Sequence, residues 1–405
     1  MAVGVTPPID FPPVAGFRVA ATACGLKTNG RPDLILVHMQ PTAAVAGVFT
    51  RNLVAAAPVQ ICRERLPGGE AAALLVNAGN ANAGTGAQGM KHALEVSHTV
   101  ARELAVADGR IFLSSTGVIG QPLPVDKIQG AIPGLVANLC ADGWDDAARA
   151  ITTTDTFPKA RHRRCTLDGR PVIVAGMAKG AGMIHPDMAT MLAYVFTDAA
   201  ITSQAWQQLL TRAAQKSFNC ITVDGDTSTN DTLLGFASGL AGNDPLTDPD
   251  SPSAAPLATA LTDLCLELAQ LIVRDGEGAT KLITITVSGA ATEAAARHIG
   301  KVVAHSPLVK TACFGHDPNW GRILAAVGRA GVPLDVEAVD IHLGDVQIVH
   351  KGGLAPSYTE EQGARVMAAP EITIRIDLHA GQATATTWTC DLSHDYVTIN
   401  ADYRT

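Results

Sequence analysis

The chain has 405 residues and a formal net charge of −8, which is long enough for one large α/β body or for two or three ordinary domains. Hydrophobic residues make up 47% and charged residues 17%, so the chain can bury a sizeable core and is not disordered as a whole. The acidic excess and the 4% aromatic content argue against a nucleic-acid-binding or anionic-membrane surface, which needs a basic face.

Short strand-like runs alternate with helical stretches along the chain. Alternating or continuous apolar runs predict strands at 34–37, 71–77, 110–113, 172–175, 282–288 and 372–378. Helical spacing of apolar residues predicts helices at 90–107, 204–217 and 256–274, and a Pro-, Asp- and Ser-rich stretch predicts a surface loop at 242–256. This mixed order favours an α/β (α+β) layered fold over a Rossmann domain.

The eight cysteines are well separated, with no two closer than 25 residues, so no zinc-ligand spacing is present. The first residues lack the basic and apolar parts of a signal peptide, and we expect no apolar stretch of membrane-spanning length. These observations predict a reduced, cytoplasmic protein with buried thiols and no metal site.

The most informative segment surrounds Thr190. A Gly- and Pro-rich loop, residues 180–189, leads to this threonine, and the almost wholly apolar run Met191–Phe196 follows. A run that apolar predicts a strand buried on both faces. Thr190 is therefore expected where an irregular loop enters a buried strand.

A threonine in that place can act as a nucleophile if the chain is cut just before it. A hydroxyl is a poor nucleophile without a base, and the freed α-amine, with a reference pKa of about 7.7–8.0, would supply one. By itself, however, the pattern more often marks an ordinary junction, since threonine is common where strands begin.

Seven sequence motifs carry a resemblance to a known family. They are KGAGMIHPDMATML (179–192), SSTGVIG (114–120), TTTDTFPK (152–159), SFNCITVDGDTSTNDT (217–232), GEGATKL (276–282), GHDPNWGR (315–322) and INADYRT (399–405). Together they resemble, in the same order and over nearly the whole chain, the ornithine acetyltransferase or glutamate N-acetyltransferase family.

The resemblance implies a self-processing enzyme. Family members cut themselves at the junction that matches Ala189 and Thr190, which would give an α chain of residues 1–189 and a β chain of residues 190–405. The two chains form one intertwined catalytic body and pair into an α2β2 assembly. The implied fold is a layered α/β sandwich shared with self-processing aminopeptidases.

The resemblance also implies the reaction. Thr190 would take the acetyl group from N2-acetyl-L-ornithine and pass it to L-glutamate, giving ornithine and N-acetylglutamate in arginine biosynthesis. No cofactor is implied, but some family members also accept acetyl-CoA as a donor, and no motif here separates the two types.

The family's site residues map onto this sequence one by one. Its oxyanion donors match Thr116 and Gly117. Its substrate-binding residues match Thr153 or Thr154, Lys179, Thr190, Glu277, Asn400 and Thr405. Without the family, Ser115–Gly117 is typical of a turn, and Lys179 and Glu277 would more often be solvated charges.

Two further stretches are informative. Asp224, Asp226, Asn230 and Asp231 have some likeness to a cation loop, but their spacing favours a hydrogen-bonded turn, which the family places near the active site. Residues 161–171 are predicted to form a basic, hairpin-like loop.

Two other hypotheses compete with the transferase. One is a self-processing N-terminal-nucleophile aminopeptidase or amidohydrolase of the same fold. The other is an unprocessed structural or binding protein, which would stay as one chain.

Overall fold

The computed structural model describes residues 2–4, 8–185 and 191–402. Its strands are β1 (Phe17–Thr22), β2 (Leu34–Phe49), β3 (Glu70–Asn80), β4 (Ile111–Val118), β5 (Lys159–Leu167), β6 (Arg170–Lys179), β7 (Leu192–Thr197), β8 (Thr232–Ala237), β9 (Leu282–Ala290), β10 (Asp340–Leu343), β11 (Val346–His350), β12 (Gly353–Leu354), β13 (Glu371–Asp377) and β14 (Ala383–Cys390). Its α-helices are α1 (Ala57–Arg65), α2 (Gly86–Leu104), α3 (Val125–Ala137), α4 (Trp144–Ala150), α5 (Ser203–Lys216), α6 (Ala255–Arg274), α7 (Glu293–Ala304), α8 (Pro307–Phe314), α9 (Trp320–Gly328), α10 (Glu360–Met367) and α11 (His394–Asp402).

The larger sheet has the strand order β4-β3-β2-β8-β7-β6-β5, with β1 paired to β2 outside this path. β3 pairs with β4 in parallel and β7 pairs with β8 in parallel, whereas the other neighbours are antiparallel. The smaller sheet has the order β12-β11-β10-β13-β9-β14. An isolated bridge between Ile221 and Trp388 joins the second sheet to the segment after α5.

Helices cover both faces of the larger sheet. Its strand β7 has apolar side chains on both faces, which these helices bury. All six of its residues are buried, as the apolar run predicts. Ala193 and Val195 pack toward α5 and α6, whereas Phe196 packs on the other face against Trp144 of α4, with ring centroids 4.8 Å apart. The layered α/β fold expected from the sequence is confirmed.

Two local expectations need correction. Residues 161–171 are not a loop: β5 and β6 run through them and meet in a tight turn at Asp168 and Gly169, both with positive φ. The expectation that no segment has membrane-spanning length and hydropathy is wrong for α6, which meets both criteria. Ten of its 20 residues are buried in the protein core, where it packs on β5 and β6, so its hydropathy reflects that burial.

A buried ionic group fixes the end of β6. The Lys159 ammonium donates to Asp155 and to Asp275, each at 2.6 Å, and all three side chains are inaccessible to solvent or nearly so. Asp155 also accepts the backbone N–H of Gly180 at 2.7 Å. Burial disfavours ionisation, but the positive charges of Lys159 and Lys179 hold the pKa of Asp155 well below its ordinary value.

Replacing Lys159 with methionine should therefore destabilise the fold. The change leaves two buried carboxyl groups without their cation, which typically costs about 3–5 kcal/mol. The matched control is Lys91→Met, because Lys91 is exposed and its pair with Glu95 contributes at most about 0.5 kcal/mol. Urea unfolding followed by circular dichroism measures both, and equal midpoints for the two variants would contradict the expectation.

Candidate active site

A cavity of about 260 Å³ opens where β4 and β6 end and β7 and β8 begin. Every predicted site residue within the described ranges lines it: Thr116, Gly117, Thr153, Thr154, Lys179, Glu277 and Asn400. Ala189, Thr190 and Thr405 lie outside the described residues. Met191, the residue that follows Thr190 in the chain, also lines the cavity.

Thr116 and Gly117 stand at the end of β4. The Lys179 ammonium donates to the Thr116 hydroxyl oxygen at 3.1 Å, which leaves the hydroxyl proton available to a ligand. Gly117 has φ +130°, and a Cβ there would collide with the backbone of Gly79 on β3. Only glycine fits at this position, and without a side chain its backbone N–H is accessible from the cavity. The pair can thus supply two hydrogen-bond donors to one oxygen.

Asn230 ties this strand end to the start of β8. Its side-chain amide donates to the carbonyls of Ala81, at 2.6 Å, and Ser115, at 2.8 Å. Its own oxygen accepts from the Thr229 hydroxyl at 2.6 Å. Because all three bonds are buried, they hold Thr116 in register with the segment that precedes β8.

Lys179 dominates the electrostatics of the cavity. Among the described lining residues it is the only cation, and it faces four carboxyl groups, those of Asp224, Asp226, Asp231 and Glu277. Burial and the neighbouring charge of Lys159 lower the pKa of Lys179, while the surrounding carboxylates oppose this shift. A carboxylate ligand would find in Lys179 a partly desolvated charge partner.

Glu277 and Asn400 meet on the wall across from the sheet. The Asn400 side chain donates to the Glu277 carboxylate at 2.8 Å, and the Glu277 backbone N–H donates to Ala181 at 2.9 Å. Gly182 leaves the space that Glu277 fills, since a Cβ there would overlap its carboxylate. The end of α11 therefore reaches the cavity, as the resemblance implies.

The loop after β6 is held by the segment before β8. The Asp224 carboxylate accepts the backbone N–H groups of Met183, at 2.6 Å, and Ile184, at 2.9 Å. Val223 N–H and the Thr222 hydroxyl both donate to the Ile184 carbonyl, at 2.7 and 2.9 Å. Residues 224–231 thus form a hydrogen-bonded turn beside the site, and the described residues contain no group of three or more His, Cys, Asp or Glu side chains suited to a metal ion.

Asp231 is the most deeply buried of the lining carboxyl groups, being only 2% exposed. Burial outweighs the nearby charge of Lys179, so the pKa of Asp231 lies well above its ordinary value.

Several residues that shape this site are not among those predicted from the sequence. They are the ionic group of Asp155, Lys159 and Asp275, and Tyr396, whose hydroxyl lies 3.4 Å from the Asp224 carboxylate. The i, i+4 spacing of Asp155 and Lys159 was a usable signal, but their shared partner Asp275 lies more than 100 residues away.

The chain is similar to known proteins over nearly its whole length. The model of the ArgJ family matches residues 18–405. The arginine biosynthesis bifunctional protein ArgJ of Pseudomonas syringae pv. tomato is 49% identical over 406 residues, covering 100% of both chains.

Two solved structures are also similar. The crystal structure of the arginine biosynthesis bifunctional protein argJ from Bacillus halodurans is 44% identical, covering 52% of this chain and 98% of that one, with a TM-score of 0.50. The ornithine acetyltransferase of Mycobacterium tuberculosis, solved with ornithine, is 38% identical, covering 44% of this chain and 94% of that one, with a TM-score of 0.39.

Proposed function

Because the chain belongs to the ArgJ family, we propose that it transfers the acetyl group of N2-acetyl-L-ornithine to L-glutamate in arginine biosynthesis. The observation that carries the proposal is that the predicted site residues come together in space. Five separate chain segments supply the seven predicted site residues, and all seven line one cavity beside Met191. These seven are the described residues that the resemblance to the family implies for the site, and their meeting in one cavity supports the proposal.

Each side chain has a part in the proposed reaction. Lys179 binds the α-carboxylate of the amino acid, and Glu277 with Asn400 binds the side-chain ammonium of the ornithine substrate. Thr190, through its own α-amine as base, attacks the acetyl carbonyl and releases ornithine. Thr116 and Gly117 donate to the oxygen that becomes negative in each tetrahedral intermediate. Glutamate then takes the acetyl group from Thr190.

The proposal includes self-cleavage between Ala189 and Thr190 and an α2β2 assembly of the two products. One comparison supports the cleavage: about half of this chain matches almost the whole of the crystallised Bacillus halodurans chain, so that chain is about half as long. Thr153, Thr154 and Thr405 complete the proposed substrate site.

Other parts of the proposal follow from the chemistry. The threonine carries the acetyl group covalently, so the reaction needs no cofactor. Two relatives bear the name bifunctional, and for this chain we propose acetyl-CoA as the second donor.

A biosynthetic enzyme with eight free thiols, all within the described ranges, suits the cytoplasm. The competing aminopeptidase is less well supported, because the family match spans residues 18–405.

The first test is processing. Purified protein should give fragments of residues 1–189 and 190–405 on denaturing electrophoresis, with Thr190 at the new N-terminus. Thr190→Ala should remain one chain and should not turn over, because cutting and transfer use the same hydroxyl. The control is Thr202→Ala, which removes a threonine that caps α5. A wild-type protein that stays whole would favour the binding-protein hypothesis.

The second test concerns the oxyanion donor. Thr116→Ala should lower kcat by about 10²–10³ with little change in KM, because the donor acts mainly in the transition state. Thr116→Ser keeps the hydroxyl and is the matched control. Steady-state kinetics on fully cut protein measures both. A rise in KM alone would make Thr116 a binding residue.

The third test concerns the covalent intermediate. Incubation with N2-acetylornithine alone should add one acetyl group, about 42 Da, to the 190–405 fragment, and glutamate should then remove it, as ping-pong chemistry requires. Acetyl-CoA should give the same adduct if it is the second donor. Intact-mass spectrometry with peptide mapping locates the label. Ornithine release without glutamate, at an undiminished rate, would instead indicate a hydrolase.

A further inference from the structure

The two amino acids that share the proposed site carry opposite charges at one end. Both have an α-carboxylate, and their side chains are equally long. Ornithine ends in an ammonium nitrogen, whereas the side-chain carboxylate oxygens of glutamate lie the same number of bonds from the α-carbon. In the proposed function Lys179 holds either α-carboxylate, so the ammonium of one and the carboxylate of the other must occupy the same place beside Glu277.

Glutamate therefore meets an unfavourable charge in this place. Among the described lining residues Lys179 is the only cation, and the α-carboxylate already uses it. The side-chain carboxylate of glutamate would face the Glu277 carboxylate. Because like charges repel strongly where water is partly excluded, this carboxylate needs a hydrogen-bond donor of its own.

Asn400 has no donor to spare. Its side-chain nitrogen donates to Glu277 Oε2 at 2.8 Å and to the Tyr396 carbonyl at 3.0 Å. An amide nitrogen carries two hydrogens, so these two bonds use both. The donor for glutamate must come from another residue on the same wall.

Tyr396 has a hydroxyl in a suitable position. Of the described hydroxyl groups that line the cavity, only this one belongs to α11, the helix that carries Asn400. The Tyr396 backbone packs on Gly278, the residue after Glu277, since a Cβ on that glycine would come within 2.5 Å of the tyrosine nitrogen. From there the side chain extends to Asp224, with its hydroxyl 3.4 Å from Oδ2.

The bond between Tyr396 and Asp224 can be given up at little cost. At 3.4 Å it is long for a hydroxyl donor. The Asp224 carboxylate is already satisfied by the backbone N–H groups of Met183, at 2.6 Å, and Ile184, at 2.9 Å. Burial and the neighbouring carboxylates raise the pKa of Tyr396, so its hydroxyl keeps the proton that a carboxylate ligand would accept.

We propose that Tyr396 determines specificity for the acceptor: its hydroxyl turns from Asp224 and donates to the side-chain carboxylate of glutamate. Glu277 receives the side-chain ammonium when ornithine is bound instead. The ring can stay in place, because rotation about the C–O bond redirects the hydroxyl proton. This inference rests on the proposed function and adds the residue by which one cavity serves two oppositely charged side chains.

The acetyl-enzyme allows both acceptors to be compared on one species. N2-acetylornithine labels the cut enzyme, free donor is removed, and either glutamate or ornithine then discharges the label, as followed by quenched intact-mass spectrometry. Tyr396→Phe should lower the second-order rate constant for glutamate by about 10–100-fold, the usual loss for a hydrogen bond to a charged group. Discharge by ornithine should slow far less, and it reports whether the variant's site is intact.

Two further variants calibrate the ratio of the two rate constants. Tyr358→Phe is the matched control, because Tyr358 is a half-buried tyrosine that packs on the core of the smaller sheet and is not among the lining residues. It should leave the ratio unchanged. Glu277→Gln should move the ratio in favour of glutamate, because it removes the charge that attracts the ammonium and repels the carboxylate.

A second measurement uses only the wild-type enzyme. L-norvaline has a side chain of similar length without a charged end, so glutamate should discharge the label about 10–100-fold faster if a donor serves its carboxylate. Equal rates for these two acceptors would overturn the proposal. Equal slowing of glutamate and ornithine by Tyr396→Phe, or no slowing of glutamate, would also overturn it. A wild-type enzyme that takes no label from N2-acetylornithine would instead overturn the proposed function itself.

Discussion

The pairing of Lys179 with Leu192 is the constraint on which the site depends. β6 and β7 are antiparallel neighbours, and these two residues lie opposite each other at the sheet edge. Leu192 begins β7, two residues after the proposed nucleophile Thr190 in the chain. The Lys179 ammonium also donates to the Thr116 hydroxyl at the end of β4. One strand pairing therefore holds the Lys179 cation and the proposed oxyanion donor Thr116 beside the start of β7.

Three carboxyl groups near this end of the sheet, two buried and one half-buried, show how the partners of a carboxyl group decide the direction of its pKa shift. Asp155 lies between two lysines and receives a backbone N–H, so its pKa falls. Asp224 receives two backbone N–H groups, but burial outweighs them and raises its pKa. Asp231 is more deeply buried, and its pKa is raised further. The first group stabilises the fold and the second holds a loop.

Much of this arrangement could be predicted from the sequence. Local patterns identified the main strands and helices, because apolar periodicity reflects burial directly. The motif match identified the lining residues, because it records which residues meet without showing how. The sequence could not predict that Lys159 pairs with Asp275 or that Asn230 binds its two carbonyl partners, because these partners lie more than 100 residues away in the chain. The hydropathy of α6 also could not be interpreted from sequence alone, because a buried core helix has the same composition as a membrane span.

The strand order of the larger sheet has a consequence for how the protein folds and refolds. β7 and β8, which follow the proposed cut, lie between β2 on one side and β6 with β5 on the other. Neither product could complete this sheet alone, and each would present unpaired edges. If the chain is cut as proposed, the precursor must therefore fold first, as a unimolecular event. A cut protein that unfolds would then have to find its partner again by collision, so its recovery would depend on concentration and compete with aggregation. A cut enzyme would thus depend on slow unfolding rather than on repeated refolding.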